Sequence, residues 1–125
     1  MSLTSPLRRA LGLGSAKEGV SHWWSQRVTS VALVVLTLWF ACALLALDDY
    51  SHASVIAWMG APFNAVMLVL TVAIAAYHSQ LGVQVVVEDY VQAPWLKVTT
   101  LLLLNFVHVA FAAVGILAVL NVALA

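Results

Sequence analysis

The sequence predicts an all-α membrane protein with three transmembrane helices. Hydrophobic residues make up 64% of the 125 residues and charged residues only 8%, which is more apolar surface than a soluble domain of this size can bury. No Asp, Glu, Lys or Arg occurs in three long stretches, 28–47, 50–87 and 98–125. Because a helix needs about 20 apolar residues to cross a bilayer, each stretch is assigned one span. The runs are continuously apolar rather than alternating, which argues against a β-barrel.

Residues 1–27 are predicted to form an amphipathic leader in the cytoplasm. Four of the five basic residues lie in it, namely Arg8, Arg9, Lys17 and Arg27. The loop after the first span has Asp48 and Asp49 but no basic residue. Basic residues favour the cytoplasmic side of a membrane, so the N-terminus is predicted to be cytoplasmic. Trp23 and Trp24 are typical of an anchor at the headgroup level.

The rest of the chain divides at polar or proline-containing segments. The predicted elements are transmembrane helix 1 at 28–47, a periplasmic loop at 48–61, transmembrane helix 2 at 62–87, a cytoplasmic loop at 88–95 and transmembrane helix 3 at 96–124. Pro62 suits the first turn of a helix, where its missing N–H has no partner to lose. Ser51, His52, Ser54 and Gly60 favour an irregular loop before it, although a helical hairpin filling 50–87 is an alternative.

Composition also limits the function. Net charge is zero and no basic cluster is present, which argues against a nucleic-acid partner. The single cysteine, Cys42, excludes an internal disulfide.

His78 is the most informative residue, because it lies deep in the second span. It precedes Glu88 by ten residues, or about 15 Å along a helix. Polar groups at that depth are costly unless they face protein, water or a cofactor. Imidazole is a common axial ligand of haem iron, and Gly82, one turn later, would leave room for the edge of a porphyrin. From spacing alone, a histidine bonded to a neighbouring helix remains an equal alternative.

His108 in the third span is the rival ligand. One chain could supply both histidines to one iron, or two chains could supply one each. Asn105 lies one turn before His108 and offers it a hydrogen bond, and buried polar groups usually find such partners. We therefore interpret His108 as a structural residue.

Three further residues stand where the second and first spans meet the cytoplasm. Arg27 can extend its charge to water, or it can pair with an anion such as a haem propionate. Asp89 and Tyr90 can be ordinary interfacial residues. Alternatively, the Tyr90 hydroxyl donates to a quinone carbonyl while Asp89 tunes nearby cations or conducts protons. Tyr90 lies twelve residues from His78, about 18 Å along a helix, so a haem and a quinone would not collide.

These residues carry a resemblance to a known family. The chain resembles the smaller hydrophobic membrane anchors of alphaproteobacterial succinate dehydrogenase, respiratory complex II. One matching segment is the leader, with Pro-Leu-Arg at 6–8, Gly-Leu-Gly-Ser-Ala-Lys at 12–17, His-Trp-Trp at 22–24 and Gln-Arg-Val-Thr at 26–29. The other comprises His78, Gly82 and Glu-Asp-Tyr-Val at 88–91. The three-span topology extends the resemblance to the whole chain.

The resemblance implies a subunit that is not catalytic alone. It would attach a flavoprotein subunit and an iron–sulfur subunit to the bacterial inner membrane, in a bundle with a second three-helix anchor, the cytochrome b subunit. Each anchor would give one axial ligand to the iron of a shared haem b, here His78, with Gly82 beside the ring and Arg27 near the propionates. Tyr90 and Asp89 would contribute to the ubiquinone site.

In that scheme, electrons from succinate reach ubiquinone through cofactors on the partner subunits, and the haem is not an obligatory carrier. Two alternatives remain. The chain could be a self-contained small b-type cytochrome with His78 and His108 on one iron. It could also be a haem-free structural or transport subunit, in which both histidines are hydrogen-bonded links between helices.

Overall fold

The structure is a computed structural model that describes residues 16–125, with side chains from residue 20 onward. The described part contains four α-helices and no strand: α1 at Ala16–Leu45, α2 at His52–Gly60, α3 at Pro62–Tyr90 and α4 at Pro94–Ala123. The part of the leader that carries Arg8, Arg9 and the glycines at 12 and 14 lies outside the described residues.

Three helices are long and apolar enough to cross a membrane, which confirms the predicted fold class. They are Val20–Leu45, Pro62–Tyr90 and Pro94–Ala123. At 1.5 Å per residue, the longest is about 45 Å long, compared with about 30 Å of hydrocarbon in a bilayer. The spans therefore project beyond the hydrocarbon or tilt within it.

The leader and the first span are not separate elements from Ala16 onward. Helix α1 begins at Ala16 and continues without a break to Leu45, whereas the leader was predicted to extend to residue 27. No proline interrupts 16–45, so each backbone group after the first turn can bond within the helix, as a bilayer requires. Trp23, Trp24 and Arg27 are consequently helical residues at the polar end of α1.

The segment between the first two spans contains a short helix where irregular structure was expected. The hydroxyl of Ser51 accepts a hydrogen bond from the Ser54 N–H at 3.3 Å and caps α2. The carboxylate of Asp49 accepts from the Ser51 N–H at 2.6 Å and from the Ser54 hydroxyl at 2.9 Å. Local capping by serine and aspartate outweighs their usual preference for loops. Asp48, Asp49 and His52 are exposed, as expected.

Both later spans begin with a proline. Ala61 and Ala93 precede Pro62 and Pro94 in extended conformations, with ψ of 128° and 120°. A residue before proline is restricted to that region, so each helix starts cleanly at its proline. At the other end of α3, the Lys97 ammonium donates to the Glu88 carbonyl at 2.7 Å, where a cation is favoured by the helix dipole.

Helix α3 is the centre of the arrangement. It packs against α1, α2 and α4, and α2 also packs against α4, but within the described part α1 and α4 do not pack on each other. The buried apolar core is correspondingly small: Leu36, Ala65, Leu81, Val87 and Val119. Most large apolar side chains on the three spans are exposed and available to lipid or to a partner.

Gly115 lies in a close contact between α3 and α4. A methyl group added to Gly115 would lie 2.8 Å from the Val72 Cγ1 atom, nearer than side chains approach each other. Near the α2 end of the molecule, the rings of Trp39 and Trp58 stack with centres 6.1 Å apart, and Phe63 meets Trp39 edge-on at 6.3 Å. Trp58 thus joins α2 to α1 through its ring contact with Trp39.

Candidate functional site

His78 lies on the face of α3 that contacts α1, and both of its ring nitrogens have partners there. Its Nδ1 atom is 2.8 Å from the Thr29 Oγ1 atom, and its Nε2 atom is 3.3 Å from the Gln26 Nε2 atom. The Thr29 hydroxyl also lies 2.8 Å from the Ser25 carbonyl oxygen. Thr29 is therefore the partner of Nδ1, and Gln26 is the partner of Nε2.

The partners Thr29 and Gln26 indicate which nitrogen of the His78 ring carries the proton. The Thr29 hydroxyl has one hydrogen, which it donates to the Ser25 carbonyl in the manner usual for a threonine inside a helix, so its oxygen accepts from Nδ1–H. The amide nitrogen of Gln26 can only donate, so the Nε2 atom of His78 must accept. Both contacts are compatible with the tautomer in which Nδ1 carries the proton and Nε2 keeps its lone pair.

Gly82 faces Gln26. A methyl group on Gly82 would lie 3.6 Å from the Gln26 Nε2 atom, an ordinary van der Waals distance. The Gln26 amide is therefore a neighbour of the space beside Gly82. The Oε1 atom of that amide is buried and has no hydrogen-bond partner in the described part of the chain, which is unusual for a buried oxygen.

A cavity of about 400 Å³ adjoins His78 on the α1 side. Its lining is apolar apart from the imidazole and two hydroxyls; the residues are Ser30, Leu33, Val34, Thr37, Leu38 and His78. Ser30 satisfies its own hydroxyl by donating to the Gln26 carbonyl at 2.7 Å. An imidazole in the lining of a largely apolar cavity of this size suits part of a flat apolar cofactor, so the residues fit one side of a haem.

Arg27 is exposed on α1, one residue beyond Gln26. Its guanidinium carbon lies 5.5 Å from the centre of the Trp23 ring, a cation–π contact. The structure thus places the Arg27 charge near the polar end of the first span, on the helix that also lines the cavity beside His78.

Asp89 and Tyr90 are the last two residues of α3. Both are exposed, Tyr90 by 81%, and the Tyr90 hydroxyl makes no hydrogen bond within the described part of the chain. The phenol is free to donate to a molecule outside the chain. His78 and Tyr90 belong to one continuous helix, which gives the predicted separation of about 18 Å along its axis.

His108 lies on α4 and has different partners from those predicted. Its Nδ1 atom is 2.8 Å from the Leu104 carbonyl oxygen and its Nε2 atom is 3.3 Å from the Ser79 hydroxyl. The prediction that Asn105 bonds His108 is wrong, because the Asn105 Oδ1 atom instead accepts from the Gln80 amide at 2.8 Å. The interpretation of His108 as a hydrogen-bonded residue does agree with the structure.

The two intramembrane histidines are therefore in different interhelical contacts. His78 meets α1 and lines the cavity described above, whereas His108 meets α3 and lines a second cavity of about 200 Å³ between α3 and α4. Among the described residues, no group of three or more His, Cys, Asp or Glu side chains is placed to hold a metal ion. The separation of the histidines does not favour both as ligands of one iron in one chain.

Thr29 and Gln26 are the residues whose role at the site was not assigned from the sequence. The available signal was that Gln26, Thr29, Ser30 and Leu33 recur at helical spacing and so share one face of the first span. Polar residues on one face of a membrane helix usually face another helix, which pointed to a partner in the second span.

The chain is similar to proteins with a common description. The profile of the succinate dehydrogenase/fumarate reductase transmembrane subunit family matches residues 1–119. A succinate dehydrogenase hydrophobic membrane anchor subunit of Rickettsia bellii is 38% identical over 95 residues, 75% of each chain. The subunit of the same name from Rickettsia conorii is 36% identical over 98 residues, 78% of each chain. That from Paracoccus denitrificans is 36% identical over 92 residues, which are 74% of this chain and 71% of the relative.

These relatives and the three apolar helices support a multi-pass protein of the bacterial inner membrane. The succinate dehydrogenase membrane-anchor description is shared by the three relatives named above, which agrees with the resemblance drawn from the leader and from the His78 and Tyr90 segment. The match covers the first two spans and most of the third, and nearly all of the chain. The chain therefore belongs to the succinate dehydrogenase/fumarate reductase transmembrane subunit family.

Proposed function

We propose that this chain is the small membrane anchor of a succinate:ubiquinone oxidoreductase, that His78 is one axial ligand of a haem b, and that Tyr90 and Asp89 form part of the ubiquinone site. The anchor role rests on the family. The haem assignment is carried by one observation, the imidazole of His78 in the lining of a largely apolar cavity.

The chain offers one side of a haem site and not a whole one. His78 is the single histidine at the cavity lining, and the cavity is bounded by α1 and α3 alone. A second axial ligand and the remaining walls would come from a second anchor subunit, with Arg27 near the propionates and Gly82 beside the edge of the ring. When bound, the haem would supply a one-electron redox centre between the two anchors.

The exposed apolar faces of the spans support assembly with other subunits. Valines 31, 34 and 35 on α1 are each at least 60% exposed, and so are several large residues of α4. Lipid can cover such surfaces, as can the helices of a second anchor. The flavoprotein and iron–sulfur subunits would dock on the cytoplasmic side, where basic residues of the N-terminal segment are predicted to lie.

At the quinone site, the chain would contribute a donor and a proton route. The Tyr90 hydroxyl would donate to a carbonyl oxygen of ubiquinone, which favours the charge that develops on that oxygen as the ring is reduced. The exposed carboxylate of Asp89 stands beside it at the water interface, where it can exchange protons with bulk solvent.

The haem assignment is tested by replacing the two intramembrane histidines separately in the purified four-subunit complex. We expect His78→Ala to lose the wild-type spectrum of the dithionite-reduced haem and His108→Ala, the matched control, to keep it. Loss of the spectrum with either change would favour the self-contained cytochrome. A wild-type complex that contains no haem, or a His78→Ala complex with an unaltered spectrum, would overturn the assignment.

A further inference from the structure

Thr29 is the one polar side chain that is buried among those the structure describes, at 9% exposed. It lies on α1, opposite His78 on α3, and 49 residues separate the two along the chain. A threonine in a membrane helix can satisfy its hydroxyl within its own helix, and Thr29 does so by donating to the Ser25 carbonyl at 2.8 Å. The hydrogen of the Thr29 hydroxyl therefore has an acceptor within α1 and does not require the contact with His78.

The lone pairs of the Thr29 oxygen remain available, and the His78 ring uses one of them. The 2.8 Å contact to Nδ1 is short enough to be a well-formed hydrogen bond. Because the Thr29 hydroxyl has given its hydrogen to Ser25, Nδ1–H is the donor. The opposite nitrogen, Nε2, then has no proton and is the only atom of the ring that can coordinate a metal.

Gln26 contacts that second nitrogen more weakly, at 3.3 Å. The Oε1 atom of the Gln26 side chain is buried and has no hydrogen-bond partner among the described residues, so only the nitrogen end of this amide is paired. A group that binds Nε2 more strongly would displace the Gln26 amide at small cost, whereas the bond to Thr29 lies on the far side of the ring and would remain.

We infer that Thr29 is the positioning residue for His78, fixing its tautomer and ring orientation so that Nε2 is presented to iron. This inference rests on the proposed haem ligation. An acceptor on the remote N–H of a ligating imidazole raises the basicity of the ligand. Thr29 therefore stabilises the more highly charged, oxidised iron and lowers the reduction potential of the haem.

The test uses the assembled complex with Thr29→Val, which keeps the shape of the side chain and removes the acceptor. We expect haem affinity to fall about 10- to 100-fold, the effect typical of losing such a partner, and the midpoint potential of the remaining haem to rise. Thr29→Ser keeps the hydroxyl and should restore both values. Thr71→Val makes the same change at a hydroxyl that also donates within its own helix, to the Met67 carbonyl at 2.7 Å, but lies outside the cavity lining, and it should leave both unchanged.

If the valine variant does not assemble, Thr29→Cys replaces it, because a thiol is a weaker acceptor of similar size. Its midpoint potential should then lie above the wild-type value. A Thr29→Val or Thr29→Cys complex with wild-type affinity and potential would overturn the inference while leaving His78 as the ligand. Loss of the proposed function itself would instead appear as a wild-type complex without haem, or as a His78→Ala complex with an unaltered spectrum.

Discussion

Replacing Tyr90 by phenylalanine tests the quinone site with the least disturbance to the fold. The change removes one oxygen atom from a side chain that is 81% exposed. That oxygen makes no hydrogen bond within the described part of the chain, so no buried partner is left unsatisfied. We therefore expect the assembled complex to unfold at the wild-type temperature, with a change in stability within about 0.5 kcal/mol.

The expected effect on quinone reduction follows from the value of one hydrogen bond. A neutral hydrogen bond contributes about 0.5–1.5 kcal/mol net, and each 1.36 kcal/mol of transition-state stabilisation is a factor of ten in rate. If the phenol donates to the carbonyl as the ring is reduced, Tyr90→Phe should lower kcat/KM for ubiquinone about 2- to 12-fold.

Two assays on the same preparation separate this effect from a general loss of activity. Succinate:ubiquinone reductase activity reports on the site to which Tyr90 belongs, and oxidation of succinate by an artificial dye reports on the soluble subunits. The second activity should remain at the wild-type rate. Tyr77→Phe is the matched control, because Tyr77 is also exposed on α3 but lies 13 residues earlier, about 20 Å away along the helix.

The reasoning fails if Tyr90→Phe leaves both activities unchanged, since the phenol then donates nothing that matters to the reaction. It also fails if Tyr77→Phe slows quinone reduction as much as Tyr90→Phe does. A parallel fall in both assays would show that the change disturbs attachment of the soluble subunits and would remove the assignment of a donor role.

Three further predictions concern the fold. Gly115→Ala should lower the stability of the purified complex by about 1–3 kcal/mol in thermal unfolding, because the new methyl group lies 2.8 Å from the Val72 Cγ1 atom. Adding Val72→Ala should recover much of the lost stability. A Gly115→Ala complex with wild-type stability would refute the close contact. In a double-mutant cycle, Gln80→Leu and Asn105→Leu should show a coupling energy of about 0.6 kcal/mol, the average for hydrogen bonds between membrane helices; zero coupling would contradict the bond. The pKa of Asp49 lies below its ordinary value of 3.8, because hydrogen bonds stabilise its carboxylate. The Ser51 side chain contributes most, followed by the Ser51 N–H and the Ser54 hydroxyl. A carboxyl pKa lowered by folding stabilises α2 above pH 3.8, and this contribution is lost as pH falls through the folded value. An NMR titration of Asp49 should give a midpoint below 3.8 that rises in Ser51→Ala, and a midpoint at or above 3.8 in the intact chain would exclude this capping.

The number and positions of the spans could be predicted because the bilayer imposes them. A stretch without charges, such as 98–125, has few alternatives to a membrane helix, and Pro62 and Pro94 each mark the first turn of a span. The start of α1 and the existence of α2 could not be predicted in the same way. Both depend on caps and weak local preferences, in which Ser51 can serve equally well in a turn or at the beginning of a helix.

The candidate site was predictable in its residues but not in its contacts. The depth of His78 and the acidic and aromatic end of α3 can be read from spacing along one helix. The partners Thr29 and Gln26 depend on how α1 is rotated and shifted against α3, and a single sequence does not contain that register. The same limit explains the error at Asn105, since spacing placed it near His108 while the rotation of α4 turned it towards Gln80.

The pairing of α1 with α3 has a consequence for the order of events during synthesis. His78, the partner of both Gln26 and Thr29, is synthesised about 50 residues later than they are. This is a delay of about 3 to 10 s at the usual rates of translation. During that interval, α1 carries polar side chains into the membrane with no helix to receive them. We expect the nascent chain to keep α1 beside the insertion machinery until α3 emerges, so that the two helices enter the lipid as a pair.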